Sequence, residues 1–221
     1  MVNNIMDIFY INMEKNADRN SSMIDQLSKY KYKINRIEGI DGGKLTDDDY
    51  LNKIALTLTI SKDYLNVDWL KSRSNFKTMS GNITNILPKF GLYLSTIKLI
   101  KTAIEMGFNS CVILEDDAII KTALTIPDIE CDLIYLAASF SGDRYVDGDL
   151  IKVDPSKIVL YGTFGYYVKD CVAFLKVLLA PFQKGKSYDK HLEWRSGNIK
   201  LRCQPIDLFL KNHFQKHGVV Y

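Results

Sequence analysis

The segment from residue 110 to 118 constrains the chain most. Cys111-Val112-Ile113-Leu114 is a short apolar run rich in β-branching that leads directly into Glu115-Asp116-Asp117. An unbroken apolar run of this length reads as a buried central strand. Before it, residues 90–106 place Tyr93, Ile97, Ile100 and Ile104 on one helical face, and Gly107 marks the end of that helix. Helix, glycine, buried strand and acid cluster make up part of an α/β unit, whose ligand crevice opens at the carboxyl ends of the strands. Three carboxylates in such a crevice repel one another unless positive charge lies between them. A hard divalent cation, Mn²⁺ or Mg²⁺, meets that need because it bridges one or two carboxylates to substrate phosphates. The acid triplet taken alone equally suits a solvated turn or a helix N-terminus, so the rest of the chain has to decide.

The N-terminal part reads as a βαβ unit. Residues 7–13 form a first strand with Ile8, Phe9, Tyr10 and Ile11 continuous, residues 16–30 a helix, and residues 34–37 a second strand. That strand breaks at Glu38-Gly39-Ile40-Asp41-Gly42-Gly43, where glycines permit a tight turn. Glu14, Asn16, Asp18 and Arg19 follow the first strand on the ligand side, where Arg19 is either a phosphate contact or a surface helix residue. Residues 44–88 are the hardest to read. They mix Asp47-Asp48-Asp49, expected as the first turn of a helix capped by Thr46, with a strand-like alternation over 54–60. The Lys29-Tyr-Lys-Tyr-Lys33 run reads as a helix end whose cations complement the dipole. Further strands are expected over 132–137, 159–168 and 199–203, with a loop over 139–157 and a helix over 169–179. Two glycines, Gly162 and Gly165, inside a strand-like run argue for close backbone approach to a ligand or a neighbouring strand.

Composition narrows the function classes. With 221 residues, 47% of them hydrophobic, the chain is sized for one α/β domain. Lys and Arg outnumber Asp and Glu by 29 to 26, too small an excess to make nucleic acid the main partner. No stretch approaches the ~18 apolar residues of a membrane span, and the N-terminus lacks the basic and apolar regions of a secretory signal. A cytoplasmic setting is therefore expected. Four widely spaced cysteines, Cys111, Cys131, Cys171 and Cys203, read as buried free thiols in a reducing compartment.

In this order the landmarks resemble glycosyltransferase family 25, the group that holds lipooligosaccharide glycosyltransferases and collagen galactosyltransferases. The resemblance is carried by residues 9–19, 36–42, 91–95, 112–118, 132–136 and 162–166, together with Tyr188-Asp189. It implies a single GT-A-type domain over 1–221, a Rossmann-like mixed sheet flanked by helices, with 44–88 a variable acceptor-side region. It also implies inverting transfer of a hexose, galactose or glucose, from a UDP-sugar to a hydroxyl of a glycan or glycoprotein, collagen-like acceptors included. The cofactor implied is Mn²⁺ or Mg²⁺ on Asp116 and Asp117, supported by Glu115; His191, in the polar cluster over 188–192, is a further candidate ligand by residue type, or an ordinary exposed residue. Asp189 is the expected base and Asp117 the second catalytic carboxylate; Asn12, Arg19, Glu115, Asp116, Gly162 and Thr163 are expected to bind the donor.

One departure stands out: many members carry Ser-His where this chain has Ser95-Thr96. The alternative reading is therefore a weakened relative that binds nucleotide sugar or glycan without efficient transfer. A nucleotidyltransferase is disfavoured, because residues 12–19 contain no glycine for a phosphate loop.

Overall fold

Alternate residues of the first strand face opposite sides of one sheet, and that alternation builds the molecule in layers. The computed structural model describes residues 6–61, 65, 76–77, 83–84, 87–126, 133–142, 145–147, 150–152, 158–182, 194–196 and 199–201. Strand β1 (Asp7–Asn12) buries Phe9 and Ile11 on one face and Ile8 and Tyr10 on the other. Strand β5 (Cys111–Glu115) does the same with Cys111 and Ile113 against Val112 and Leu114. Both strands are buried on both faces, which is why they read as unbroken apolar runs.

Helix α1 (Ala17–Ser28) covers one face through Met23 and Leu27. The other face packs on α2 (Asp48–Leu58), α3 (Leu87–Glu105) and α4 (Cys171–Leu179). The expected α/β architecture of a mixed sheet flanked by helices is what the structure shows. Among the described residues, no helix is long and apolar enough to cross a membrane.

The main sheet has the order β2-β1-β5-β9-β6, with β2 (Lys33–Glu38), β6 (Leu133–Gly142) and β9 (Ile158–Val168) completing it, while β3 (Phe76–Lys77) pairs with β4 (Ile83–Thr84) and β7 (Tyr145–Asp147) with β8 (Leu150–Lys152) apart from it. Strand β1 pairs in parallel with β2 on one side and β5 on the other. The chain therefore leaves β1 in one direction and returns on its other flank, so a topological switch point lies between the carboxyl ends of β1 and β5. Strand β9 then runs antiparallel to both β5 and β6. Cys111 and Cys171 are buried free thiols whose sulfurs lie 3.6 Å apart; Cys131 and Cys203 lie outside the described residues.

Several local expectations change. Helix α2 is capped by Asp47, whose carboxylate accepts from Tyr50 N at 2.8 Å, and not by Thr46. The alternation over 54–60 belongs mostly to that helix, because Leu51, Ile54, Ala55 and Leu58 also satisfy a helical spacing and meet the core. The long helix begins at Leu87, three residues before Phe90, with Pro88 in its first turn, a position proline tolerates. The expected loop over 139–157 is largely strand: β6 runs on to Gly142, and two short strands, Tyr145–Asp147 and Leu150–Lys152, pair as a hairpin. The cations of residues 29–33 are only partly a helix end, since α1 stops at Ser28 and Lys33 opens β2, lying over the Phe108 ring.

Candidate functional site

The switch point is occupied by a carboxylate held from three directions. Asp116 lies immediately after β5, and its Oδ2 accepts from Asn12 Nδ2 at 2.8 Å and from Asn16 Nδ2 at 3.4 Å. Its Oδ1 accepts from Arg19 Nη1 at 3.0 Å. Asn12 is the last residue of β1, Asn16 caps α1, and Arg19 stands in the first turn of that helix. Four side chains from the two strand ends thus close one polar cluster across the crevice. The same Arg19 nitrogen lies 3.6 Å from Asp117 Oδ2, so the carboxylates of two consecutive residues converge on one cationic point. The hydrogen bond to Asp116 pushes the Arg19 guanidinium above its ordinary value.

Behind this cluster a second tier fixes Asn12, which is 1% exposed. Its Oδ1 accepts from Arg36 Nε at 2.9 Å, so its Nδ2 is left to face Asp116 and the Asn16 carbonyl. Arg36 Nη2 donates in turn to Glu38 Oε2 at 2.6 Å, and the other Glu38 oxygen accepts from the Glu14 backbone at 2.8 Å. Sequence reading overlooked Arg36 as a site residue. The available signal was a charged residue inside a strand, two positions before its carboxyl end.

The wall of the crevice comes from the turn after β2 pressed onto α3. Ile40 N donates to Ser95 Oγ at 2.7 Å, and Ser95 Oγ donates to Gly91 O at 2.7 Å. A side chain at Gly91 would put its Cβ 2.6 Å from Ile40 O, so only glycine lets the turn come this close. Asp41 holds the turn by accepting from Gly43 N at 3.0 Å and pairing with Lys15 at 3.2 Å. The resulting cleft has a volume of about 220 Å³. Ile11, Ile40, Pro88 and Leu92 give it an apolar side, and Lys15, Asn16, Arg19, Glu115 and Asp116 a charged and polar one.

The remaining expected site residues are distributed unevenly. Asp117 is half-exposed at the cleft's edge, and Glu115 lines the cleft. Gly162 and Thr163 lie in β9 beyond Gly165, the partner of Leu114, and so run past the carboxyl end of β5 on the site side of the sheet. Asp189 and His191 lie outside the described residues. Among the described residues, no group of three or more His, Cys, Asp or Glu side chains is arranged to hold a metal; the site offers the Asp116–Asp117 pair. Thr96 is 1% exposed and absent from the cleft lining. Its hydroxyl donates to Leu92 O at 3.0 Å, and its side chain also hydrogen-bonds the buried Tyr166. Position 96 therefore faces the core, against Tyr166.

A search of curated proteins finds no match to the chain. The family model described as "Glycosyltransferase family 25 (LPS biosynthesis protein)" matches residues 5–136, more than half of the 221 residues. That span runs from β1 into β6 and includes every side chain that holds Asp116, and with it the chain belongs to glycosyltransferase family 25.

Proposed function

We propose that the cleft at the carboxyl ends of β1 and β5 binds a UDP-sugar together with Mn²⁺ or Mg²⁺, and that the enzyme transfers a hexose with inversion to an acceptor hydroxyl. The observation that carries this reading is the convergence of Asp116 and Asp117 on a single cationic point at the switch of the sheet. Two carboxylates are a suitable complement for a cation that completes its shell with substrate phosphate and water. Asp116 and Asp117 would hold it, and when bound it supplies a counter-charge for the departing diphosphate. The chain's own contributions follow from the geometry. Asn12 and Asn16 keep the Asp116 carboxylate oriented, the Lys15 and Arg19 side chains offer donors to phosphate oxygens, and the apolar side excludes water from part of the donor.

Inversion requires a carboxylate to take the acceptor proton opposite the leaving diphosphate. Asp189 is the proposed base, on the resemblance of Tyr188-Asp189 to the family, and His191, two residues on, a proposed further ligand. Galactose and glucose are the proposed sugars, and a lipopolysaccharide-type glycan or a glycoprotein, collagen-like acceptors included, the proposed acceptor. The reading of a weakened, non-transferring relative rested on Thr96, and that residue faces Tyr166 in the core.

The test is a donor screen. Purified protein with Mn²⁺ is offered UDP-, GDP- and CMP-sugars, and release of the nucleotide is followed with and without EDTA. Release from a UDP-hexose that EDTA abolishes and Asp117→Asn removes supports the reading. Donor binding without release from any sugar, in the presence of glycan and glycoprotein acceptors, would return the chain to the non-transferring alternative.

A further inference from the structure

Arg19 is bound to the two carboxylates that the proposed function assigns to a cation. Its Nη1 lies 3.0 Å from Asp116 Oδ1 and 3.6 Å from Asp117 Oδ2, so one nitrogen serves two consecutive residues. The rest of the cluster does not depend on it. Asp116 is fixed through its other oxygen by Asn12 at 2.8 Å and Asn16 at 3.4 Å. Withdrawal of Arg19 would free Asp116 Oδ1 and Asp117 Oδ2 together and leave the orientation of Asp116 intact. Solvent reaches Arg19: its side chain is 48% exposed, and it projects from the first turn of α1 at the cleft that it lines.

We propose that Arg19 holds the cation position in the ligand-free protein and exchanges onto the donor diphosphate when a divalent cation enters with it. This rests on the metal and nucleotide-sugar reading above, and it adds a change of partner at that site. The charges support it. The acid triplet with Arg19 carries a net negative charge, and a nucleotide-sugar diphosphate brings two more negatives that a divalent cation cancels. Loading therefore leaves the net charge of the cluster unchanged, while Arg19 moves from carboxylate to phosphate, two acceptors its planar fork suits equally. Without the nucleotide the exchange is opposed, because Arg19 leaves two carboxylates for water. The arrangement thus couples cation affinity to donor binding, and by linkage donor affinity to the cation.

Manganese binding to the unloaded protein tests this, read as the loss of the free Mn²⁺ electron paramagnetic resonance signal. Half-exposed ion pairs are worth little each, so Arg19→Gln should tighten Mn²⁺ binding in the absence of nucleotide by roughly five- to tenfold. The same variant should bind UDP in the presence of Mn²⁺ more weakly than the wild type. Lys15→Gln, which removes an equal charge from the same cleft but from a side chain paired with Asp41, should change nucleotide-free Mn²⁺ affinity less than twofold. Unchanged or weaker Mn²⁺ binding in Arg19→Gln overturns the proposal, as does an equal gain in Lys15→Gln, which would reveal a general field effect. Undiminished UDP binding in Arg19→Gln overturns the exchange onto phosphate. Absence of Mn²⁺ binding to the wild type even with UDP present overturns the metal reading itself and this proposal with it.

Discussion

Asn12 and Asp117 sit within one cluster yet are committed in opposite ways. Asn12 is buried, donates to Asp116 and the Asn16 carbonyl, and accepts from Arg36. Asn12→Asp removes the amide donors and sets a carboxylate against Asp116, while Arg36, already 2.9 Å from Oδ1, offsets part of the new charge, so stability should fall by about 1–3 kcal/mol, the scale for buried groups left unpaired. Asp117 is 45% exposed, and among the described residues its ion pair is with a half-exposed arginine, so Asp117→Asn should shift stability by less than ~1 kcal/mol while abolishing the proposed transfer. Thermal unfolding by circular dichroism, set beside the donor screen, checks the pair; a destabilised Asp117→Asn and an unaffected Asn12→Asp would move the structural hub. If Asp189 is the proposed base, Asp189→Asn should lower turnover by roughly 10²–10⁴-fold and leave Mn²⁺-dependent UDP binding near that of the wild type. Loss of UDP binding in that variant would assign Asp189 to the donor side.

At the scale of elements, the site depends on how closely the turn after β2 packs on α3. A Cβ on Gly91 would lie 2.6 Å from Ile40 O and 2.7 Å from Gly42 N, and one on Gly42 would meet Leu87 O. These are backbone atoms, which cannot swing aside as a side chain can. Alanine is better than glycine in a helix by about 1 kcal/mol, yet Gly91→Ala should destabilise by roughly 1–3 kcal/mol because the clash dominates. It should also raise the KM for the donor, since Ile40, Asp41 and Gly42 line the cleft. Urea denaturation and donor kinetics measured together check this; a stabilised Gly91→Ala protein would show that the turn yields easily. Gly107 makes a useful contrast, with nothing near its would-be Cβ but a φ of +88°. Gly107→Ala should cost stability through backbone strain alone and leave the KM unchanged.

At the scale of the whole molecule, among the described residues, buried phenols and the buried Cys111 thiol weaken the fold on the alkaline side. Burial raises Tyr10, Tyr50 and Tyr166, most strongly Tyr166, which is fully buried between β5, β6 and α4. A tyrosine in the unfolded chain loses its proton near the ordinary value of 10.0, whereas these hold theirs. Their contribution is therefore fully present below pH 10 and is lost as the pH rises through their folded values. Lys98 acts the other way: burial lowers it below 10.5, so the cost of keeping it charged is relieved as the pH climbs towards that value. Cys111, raised by its Cys171 partner and by burial, adds a loss that begins near the ordinary thiol value of 9.0, so the urea midpoint should fall from about pH 9 upward, and Tyr166→Phe should make the fall above pH 10 shallower. An equally steep fall in Tyr166→Phe would place the alkaline weakness elsewhere.

What the chain shows by itself is whatever depends on local pattern. Unbroken apolar runs identified β1 and β5, because strands buried on both faces leave no polar positions. The spacing of Tyr93, Ile97 and Ile100 identified α3, and the carboxylates at the end of β5 marked the site. The alternation over 54–60 is uninformative because so short a window satisfies two periods at once, and the core chooses the helical one through Leu51, Ile54 and Leu58. Only the tertiary structure decided the partners. Asn12 and Asp116 are 104 residues apart and meet because β1 and β5 are parallel neighbours. Arg36 reaches Asn12 because β2 flanks β1 on the other side. Thr96 and Ser95 are adjacent in sequence, yet the helix turns one towards Tyr166 in the core and the other towards the Ile40 backbone beside the cleft. Spacing along the chain carries periodicity within an element, whereas pairing across the sheet depends on strand order, which no single segment encodes.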